Sequence, residues 1–286
     1  MGNFLQVLID GLLNGLLYAL VAAGLSLIWG VMDVINFAHG EFLMVGMYLS
    51  YWLGFLLDID PFISWIAGGV FLFLLGAVTY RLIIKNSLGK AAMAPLLATF
   101  GLSMLLKNFC MNVFTPNFRL ISGNWLEGQT IAFGGAIVPL PQLVTALFAF
   151  AVLGVLYWML KKTRLGWAIQ ATAMDKEAAE LMGIDTERIY LLVFGMGGAC
   201  VGIAGSLMTS YLAVYPEVGG LFSLIAFVVV ALGGFGSIPG ALLAALLIGL
   251  VESFSGFYIA AVVKYVAVFA VYLGVILLRP RGLFGW

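Results

Sequence analysis

The stretch Asp175-Lys-Glu-Ala-Ala-Glu-Leu-Met-Gly-Ile-Asp-Thr-Glu-Arg188 is a short charged island in a chain that is otherwise almost continuously apolar. Of 286 residues, 13 are Lys or Arg and 13 are Asp or Glu, and ten of these charged residues lie between Lys161 and Arg188. Hydrophobic residues make up 64% of the chain, and the mean hydropathy is +1.15. A soluble domain of this length cannot bury so much apolar surface. The composition therefore predicts that lipid surrounds most of the fold and that the island is a loop outside the lipid.

The apolar stretches on both sides of the island have the length of membrane-spanning helices, about 20 residues each. They predict an all-α polytopic integral membrane protein with about 7–9 transmembrane helices, in which residues 1–286 form a single domain. No Lys or Arg precedes Arg81, so the first stretch lacks the basic segment of a cleavable signal peptide and is expected to remain as a span. The expected spans are 5–30, 37–57, 62–84, 91–114, 140–160 and 189–212, then a broken region at 221–251 and a last span at about 257–278.

The basic residues predict the orientation of these spans, because cytoplasmic loops of membrane proteins carry an excess of Lys and Arg. Three segments hold most of them: the loop at 81–90, the loop at 161–188 and the C-terminal segment from Arg279 to Arg281. All three are predicted to be cytoplasmic, which places the C-terminus inside. The N-terminus and the loops that are poor in basic residues are predicted to lie outside, these loops being 58–61, 115–139 and 213–220.

The broken region is centred on Gly233-Gly-Phe-Gly-Ser-Ile-Pro-Gly240, where glycines and a proline cannot sustain an uninterrupted helix. Two apolar pieces of about a dozen residues each flank it. Non-helical backbone at membrane depth is tolerated only where protein or a watery cavity surrounds it. The region is therefore either two short spans joined by a cytoplasmic turn or a re-entrant pair of half-helices. On either interpretation Gly233, Gly234, Gly236, Ser237 and Pro239 are candidates for the lining of a substrate path.

Several classes of function are disfavoured by the sequence. The formal net charge is zero and the basic residues form no stripe, which disfavours a nucleic-acid partner. Cys110 and Cys200 lie inside apolar spans without metal-ligand spacing. Gly-x-Ser-x-Gly, His-Glu-x-x-His and Walker-type motifs do not occur, which argues against an enzyme. If ATP drives this protein, another chain binds it.

The island is predicted to be a short amphipathic helix. Asp175 can cap its start, the acids of its first turn suit the positive end of the helix dipole, and Gly183 can end it. An ordinary solvated loop helix would show the same features. The local chemistry alone thus leaves the role of the island open.

A second polar segment, Asn36-Phe-Ala-His-Gly-Glu41, holds the only histidine of the chain. One interpretation is structural: Asn36 caps the second span, with His39 and Glu41 in its first two turns. The other is a broken helix that lines the substrate path through Asn36, His39, Gly40 and Glu41. A metal at His39 is disfavoured because no second histidine or suitable cysteine exists. For Asp10 and Lys264, snorkelling or pairing with a neighbouring helix is the favoured interpretation.

Beyond these local features, the chain resembles a known family. Glu177-Ala-Ala179 followed by Gly183 resembles the EAA loop of ATP-binding-cassette importer permeases, and the neighbouring motifs make this likeness specific. In order and spacing they resemble the branched-chain amino acid permease family, on the side of the smaller, H-type subunit. These motifs are Gly24-Leu-Ser-Leu-Ile-Trp-Gly30, Ile35-Asn-Phe-Ala-His-Gly-Glu41, Gly101-Leu-Ser-Met-Leu-Leu-Lys-Asn108, Arg164-Leu-Gly-Trp-Ala-Ile-Gln170, Gly233-Gly-Phe-Gly-Ser-Ile-Pro-Gly-Ala241 and Arg279-Pro-Arg-Gly-Leu-Phe-Gly285.

The resemblance implies an importer subunit in a bacterial inner membrane. It implies a second permease subunit, two cytoplasmic ATPases that bind ATP and Mg, and an extracytoplasmic solute-binding protein, with no cofactor in this chain itself. The cargo would be leucine, isoleucine or valine; other amino acids, urea or amides are alternatives. A competing hypothesis is an ion-coupled secondary transporter with a relay through His39, Glu41 and Glu252. The residues that would couple to an ATPase, with the small Ala-Ala face entering a groove of that subunit, are Asp175, Glu177, Ala178, Ala179, Gly183 and Arg188.

Overall fold

A computed structural model describes residues 2–90, 93–121, 123–279 and 282–284, so Arg281 and Gly285 of the C-terminal motif lie outside the described residues. The first half of the chain contains α1 (Gly2–Met32), α2 (His39–Leu57), α3 (Pro61–Thr79), a π-helical turn (Tyr80–Ile84), α4 (Lys85–Ser87) and α5 (Ala94–Phe114). A hairpin of β1 (Thr130–Phe133) and β2 (Ala136–Pro139) follows. The second half contains α6 (Leu140–Lys162), α7 (Arg164–Met174), α8 (Lys176–Leu181), α9 (Thr186–Met208), α10 (Val218–Gly233), α11 (Ile238–Tyr258) and α12 (Lys264–Leu278).

Seven helical segments in the described part of the chain are long and apolar enough to cross a membrane, and α10 and α12 are shorter apolar helices. The predicted all-α polytopic fold is therefore confirmed. The last span begins at Lys264 instead of 257, because α11 continues to Tyr258 before the chain turns. The protein is a multi-pass membrane protein.

The segments predicted to be cytoplasmic gather at one end of the bundle, which we call the basic end. The tip of α1 packs there against the turn after α10, with the rings of Trp29 and Phe235 stacked at 4.3 Å. The same turn lines a cleft with Gln170 of α7. The backbone N–H of Leu283 donates to the Leu232 carbonyl at 2.8 Å, which brings the C-terminal segment to this end.

The segments predicted to be outside gather at the opposite end, which we call the hairpin end. The Gln6 side chain donates to the Ile137 carbonyl at 3.0 Å and accepts from its N–H at 2.7 Å, so the β-hairpin is held against the start of α1. Asn124 donates to the Ser210 carbonyl at 3.0 Å. The separation of the two ends agrees with the predicted distribution of loops except at 213–220. That segment starts at the hairpin end and then runs into the bundle, because α10 begins about halfway along α1.

Small residues allow the central helices to approach closely. A Cβ on Gly24 of α1 would lie 2.7 Å from the Gly197 carbonyl oxygen of α9, and one on Gly198 would lie 2.3 Å from the Leu72 oxygen of α3. Such contacts are the usual means by which helices associate in lipid, where the hydrophobic effect does not hold them together. The glycine-rich sequence of α9 therefore places it at the centre of the bundle, between α1 and α3.

The break at 233–240 separates two unequal helices. The 16-residue α10 starts about halfway along α1, where the rings of Tyr18 and Phe222 are 6.2 Å apart, and ends at the basic end. The 21-residue α11 then crosses the whole bundle, which corrects the expectation of two pieces of about a dozen residues each. Its helix starts at once because the Ser237 hydroxyl accepts from the Gly240 N–H at 3.1 Å, with Pro239 in the first turn.

Candidate functional site

The island forms the helix that its sequence predicts. The Asp175 carboxylate accepts from the Ala178 N–H at 3.0 Å, so Asp175 caps α8 as expected. At the other end Gly183 adopts a φ of +81°, and the N–H of Ile184 donates to the Ala179 carbonyl at 3.0 Å. This backbone pattern is the glycine C-cap that ends many helices, and it confirms the predicted stop.

The island is tied to the rest of the basic end by polar contacts. The Thr186 hydroxyl donates to the Glu180 carboxylate at 2.5 Å, and Lys176 lies 3.8 Å from the same carboxylate. Lys85, in the loop after α3, donates to Glu187 at the start of α9. Glu180 was not among the predicted site residues; its spacing from Lys176 in one helix was the available signal.

The outward surface of the island differs from the predicted one. Ala178 is exposed, but Ala179 is only 3% exposed and packs within this chain, so the prediction that both alanines face a partner is wrong for Ala179. The reason is that α8 lies against α7 and the start of α9, and consecutive helical residues point about 100° apart, so that Ala179 turns inward while Ala178 stays outside. Three large apolar residues project beside the charged ones: Met174 and Leu181 are 88% exposed and Met182 is 83% exposed.

The remaining predicted coupling residues lie on this exposed side. Glu177 and Gly183 are exposed, and the guanidinium of Arg188 pairs with Asp185 at 2.7 Å. A Cβ at Gly183 would meet no atom within 4 Å, so space does not require a glycine there; the positive φ does. The local sequence thus explains where the helix of the island begins and ends. It did not predict that Met174, Leu181 and Met182 would be exposed.

The segment around Asn36 returns into the bundle before α2 begins. Residue Ala38, and not Asn36, occupies the N-cap position of α2, which corrects the prediction of an Asn36 cap. Asn36 instead closes the preceding turn, its side-chain oxygen accepting from the Ala38 N–H at 3.1 Å. His39 is fully buried, with Nε2 2.9 Å from the Val21 carbonyl of α1. Thus α2 begins inside the bundle and not at its end.

The starts of α2 and α10 meet inside the bundle. The Gly40 N–H donates to the Ser223 hydroxyl at 2.9 Å, and a Cβ on Gly40 would lie 2.0 Å from the Gly219 carbonyl oxygen. Glu41 is buried beside them, and one of its carboxylate oxygens has no hydrogen-bond partner among the described residues. The positive ends of two helix dipoles therefore lie near one buried carboxyl group.

The two predicted parts of the substrate path are not adjacent in the fold. The segment Asn36–Glu41 lies beside the start of α10, whereas Gly233, Gly234, Gly236, Ser237 and Pro239 surround its end at the basic end. Gly236 packs there directly against Gly30 of α1. The helix α10 itself connects the two segments, and the rings of Phe37 and Phe227 pack between them at 5.3 Å.

A polar cluster lies between the hairpin end and the middle of the bundle. Glu252 was expected there only in the relay of a secondary transporter, and Lys264 only as a structural residue. The Glu252 carboxylate accepts from the Tyr18 hydroxyl at 2.6 Å and from the Lys264 ammonium at 2.8 Å. The expectation that Lys264 pairs with a neighbouring helix is confirmed, and its partner is Glu252 of α11. The cluster borders a cavity of about 340 Å³ among α1, α10, α11 and α12.

A second ion pair lies on the lateral surface of the bundle. The Lys107 ammonium of α5 is 3.0 Å from the Glu217 carboxylate, just before α10, and both side chains are partly exposed. The neighbouring faces of α5 are otherwise apolar, with Met104, Leu105 and Phe109 exposed. A charged pair thus interrupts an apolar lateral surface.

This arrangement of long apolar helices, half-length helices and a capped loop helix at one end defines the chain as a multi-pass membrane permease. The sequence profile of the family described as "Branched-chain amino acid transport system / permease component" matches residues 7–278. The chain therefore belongs to the branched-chain amino acid transport permease family.

Relatives agree along almost the whole chain. It is 32% identical to the high-affinity branched-chain amino acid transport system permease protein LivH of Salmonella typhimurium, over 99% of this chain and 96% of that protein. It is also 32% identical to the permease protein BraD of Pseudomonas aeruginosa, with the same coverage. Among solved structures, PsaBC from Streptococcus pneumoniae in complex with Fab shares the fold, with a TM-score of 0.55 at 16% identity over 98% of this chain and 94% of that chain.

Proposed function

We propose that this chain is a transmembrane subunit of an ATP-driven importer for leucine, isoleucine and valine in a bacterial inner membrane. The family supports the transport of branched-chain amino acids, since LivH and BraD are named for that substrate class. The observation that carries the ATP-driven part is the α7–α8 loop. It is a capped, tethered helix at the basic end that presents the apolar side chains of Met174, Leu181 and Met182 to solvent.

The α7–α8 loop suits docking to two cytoplasmic ATPase subunits. Three large apolar side chains exposed within one short loop would be removed from water by a partner that covers the loop. Around them Glu177 and Arg188 supply charges that can fix the orientation of a partner, as polar rims of interfaces do. The positive-inside rule supports placing this end, and the C-terminus, in the cytoplasm, with the N-terminus outside. ATP and Mg are then bound by the ATPases, and this chain performs no catalysis.

The second permease subunit is proposed to cover the lateral face of α5. Charged side chains that face lipid cost free energy, so a charged pair at membrane depth points to a protein-covered or aqueous surface. A second permease subunit against α5 would cover the Lys107–Glu217 pair in this way. Because Glu217 directly precedes α10, the same subunit contact would place the start of α10, with Gly40 and Glu41, beside the translocation path. The solute-binding protein would then dock at the hairpin end.

The proposal is tested with the complete transporter reconstituted in proteoliposomes. We expect leucine uptake that requires ATP and persists when an uncoupler removes the proton gradient. Uptake that collapses with the uncoupler and ignores ATP would support the secondary transporter instead.

The docking surface is tested in the same preparation. The double variant Leu181→Glu/Met182→Glu should lose the ATPase subunits on purification, whereas Phe133→Glu should keep them, because Phe133 is an exposed apolar residue of the hairpin end. Equal retention of the ATPases by both variants would contradict docking at this loop.

A further inference from the structure

The cavity beside Glu252 and Lys264 combines charged and apolar walls. Its volume of about 340 Å³ lies in the lower part of the range of small-molecule sites, roughly 300–1,000 Å³. Leu17, Phe222 and Ile225 are among its apolar lining residues, and Glu252 and Lys264 supply its charged lining. An ion pair that served only to join α11 to α12 would not require an open space beside it.

The charged wall retains hydrogen-bonding capacity. A lysine ammonium has three donors, and the structure places one of them on Glu252. Each Glu252 oxygen accepts one hydrogen bond, from Tyr18 or from Lys264, and has a second lone pair. The Lys264 side chain is 32% exposed, whereas that of Glu252 is 7% exposed. A positive and a negative group therefore stand side by side, each able to take one more polar partner.

An approach to this wall exists from the hairpin end. A second cavity of about 460 Å³ shares Asn14, Glu252 and Lys264 with the first and extends toward Gln6 and Asp10. Its lining is mostly polar, and the hairpin residues Ile137 and Pro139 border it. The ion pair thus lies where a polar approach from outside the bundle meets a more apolar space inside it.

We propose that this cavity is a transit site for a free α-amino acid with an aliphatic side chain. The ammonium of the ligand binds Glu252, its carboxylate binds Lys264, and its side chain contacts Leu17, Leu221 and Ile225. The ligand dipole then lies antiparallel to the resting ion pair, so all four charges are neighbours of an opposite charge. Without ligand the pair neutralises itself, which makes the empty site stable and the binding weak enough for release. The inference rests on the proposed function and assigns its substrate to one place in this chain.

The test uses a photoreactive diazirine analogue of leucine with the complete transporter in lipid nanodiscs, in the absence of a solute-binding protein. Labelled peptides are mapped by mass spectrometry. We expect labelling of the segments that line the cavity, 14–18 and 211–225. Excess leucine should suppress it, whereas 4-methylpentanoate, which lacks the ammonium, and leucinamide, which lacks the carboxylate, should compete about tenfold to hundredfold less well, the worth of one charged hydrogen bond.

The double variant Glu252→Gln/Lys264→Gln separates ligand binding from a structural role. Two amides can still hydrogen-bond to each other, so assembly and thermal stability should be kept while the charges are removed. We expect this variant to lose the preference for leucine over 4-methylpentanoate and leucinamide, each of which lacks one of the two charged groups of leucine. Lys90→Gln, an exposed lysine of the basic end, is the matched control and should keep it.

Two results would overturn the inference. One is labelling that spreads outside the cavity or responds equally to all three competitors; the other is a double variant that still discriminates among them. The proposed function is judged separately by ATP-dependent leucine uptake of the wild-type complex. Uptake without cavity labelling refutes only the transit site, whereas absence of uptake refutes the importer.

Discussion

The α8 island and the Glu252–Lys264 cluster show two ways in which an apolar chain uses its few charges. In the island, carboxylates cap helices and pair with lysines in water, and the exposed tips are apolar. In the cluster, Glu252 is enclosed by the bundle, Lys264 is about one-third exposed, and the two pair with each other. Charges at the surface therefore shape a helix that presents apolar residues, the surface we propose for ATPase docking. Charges in the interior are the groups that we propose bind a ligand.

The two regions should respond very differently to substitution. Solvent compensates for a lost partner in the island, whereas lipid and protein do not compensate in the bundle.

The largest loss of stability is expected when only one member of the Glu252–Lys264 pair is replaced. Lys264→Met leaves Glu252 buried without its cation, which typically costs about 3–5 kcal/mol. The thermal unfolding temperature of the purified complex should fall markedly, and adding Glu252→Gln should restore most of it. A single variant as stable as the wild type would show that the ion pair contributes little to stability, and the contrast with the island would disappear.

A smaller loss of stability is expected from substitutions where the starts of α2 and α10 meet. A Cβ on Gly219 would lie 2.5 Å from the Gly40 carbonyl oxygen, so Gly219→Ala should force the helices apart at a cost of about 1–3 kcal/mol. Gly220→Ala is the matched control, because its Cβ meets no atom within 4 Å. Complex yield and leucine uptake should fall for the first variant only. Equal behaviour of both would mean that the junction is not tightly packed.

The island offers a comparison between adjacent alanines. Ala179→Glu places a carboxylate in a buried position and should destabilise the loop by about 2 kcal/mol, whereas Ala178→Glu at the exposed position should stay within about 0.5 kcal/mol. Hydrogen exchange of residues 175–185 measures the difference directly. If Ala178→Glu alone disrupts ATPase binding while the loop stays ordered, Ala178 lies in the docking surface.

The smallest loss of stability is expected at Gly183, where a substitution changes only the backbone strain. Gly183→Val strains a residue with a φ of +81° at a cost of about 1–2 kcal/mol, although its side chain would meet no neighbour. Gly183→Asn should be tolerated, because asparagine adopts positive φ more readily. We expect substrate-stimulated ATP hydrolysis to be weaker in the Gly183→Val variant and nearly normal in the Gly183→Asn variant. Normal substrate-stimulated hydrolysis in both variants would show that the backbone conformation at the end of α8 does not affect coupling between transport and ATP hydrolysis.

Features that depend on local chemistry could be predicted from the sequence. The spans follow from runs of apolar residues, and the bounds of α8 follow from Asp175 and Gly183 alone. The family also followed from motifs spread along the chain. The coupling and substrate-path roles assigned to individual residues stay predictions.

Features that depend on packing between distant segments could not be predicted. Ala179 is buried because of α7 and α9, which its own helical pattern does not reveal. The length of α11 depends on Gly249, which weakens a helix in isolation but here packs against Gly11 and Gly15 of α1. Likewise, the pairing of Lys264 with Glu252 depends on how the chain turns after Tyr258.

The short length of α10 also affects how the protein enters the membrane during synthesis. At about 1.5 Å per residue its 16 residues reach about 24 Å, less than the roughly 30 Å of a hydrocarbon core. A segment of this length is a poor substrate for insertion by itself. It should therefore enter the bilayer together with α11, as a preformed hairpin closed by the Gly234–Ser237 turn. A ribosome-bound intermediate truncated within α11 should then leave α10 extractable from the membrane, and completion of α11 should fix both helices in one step.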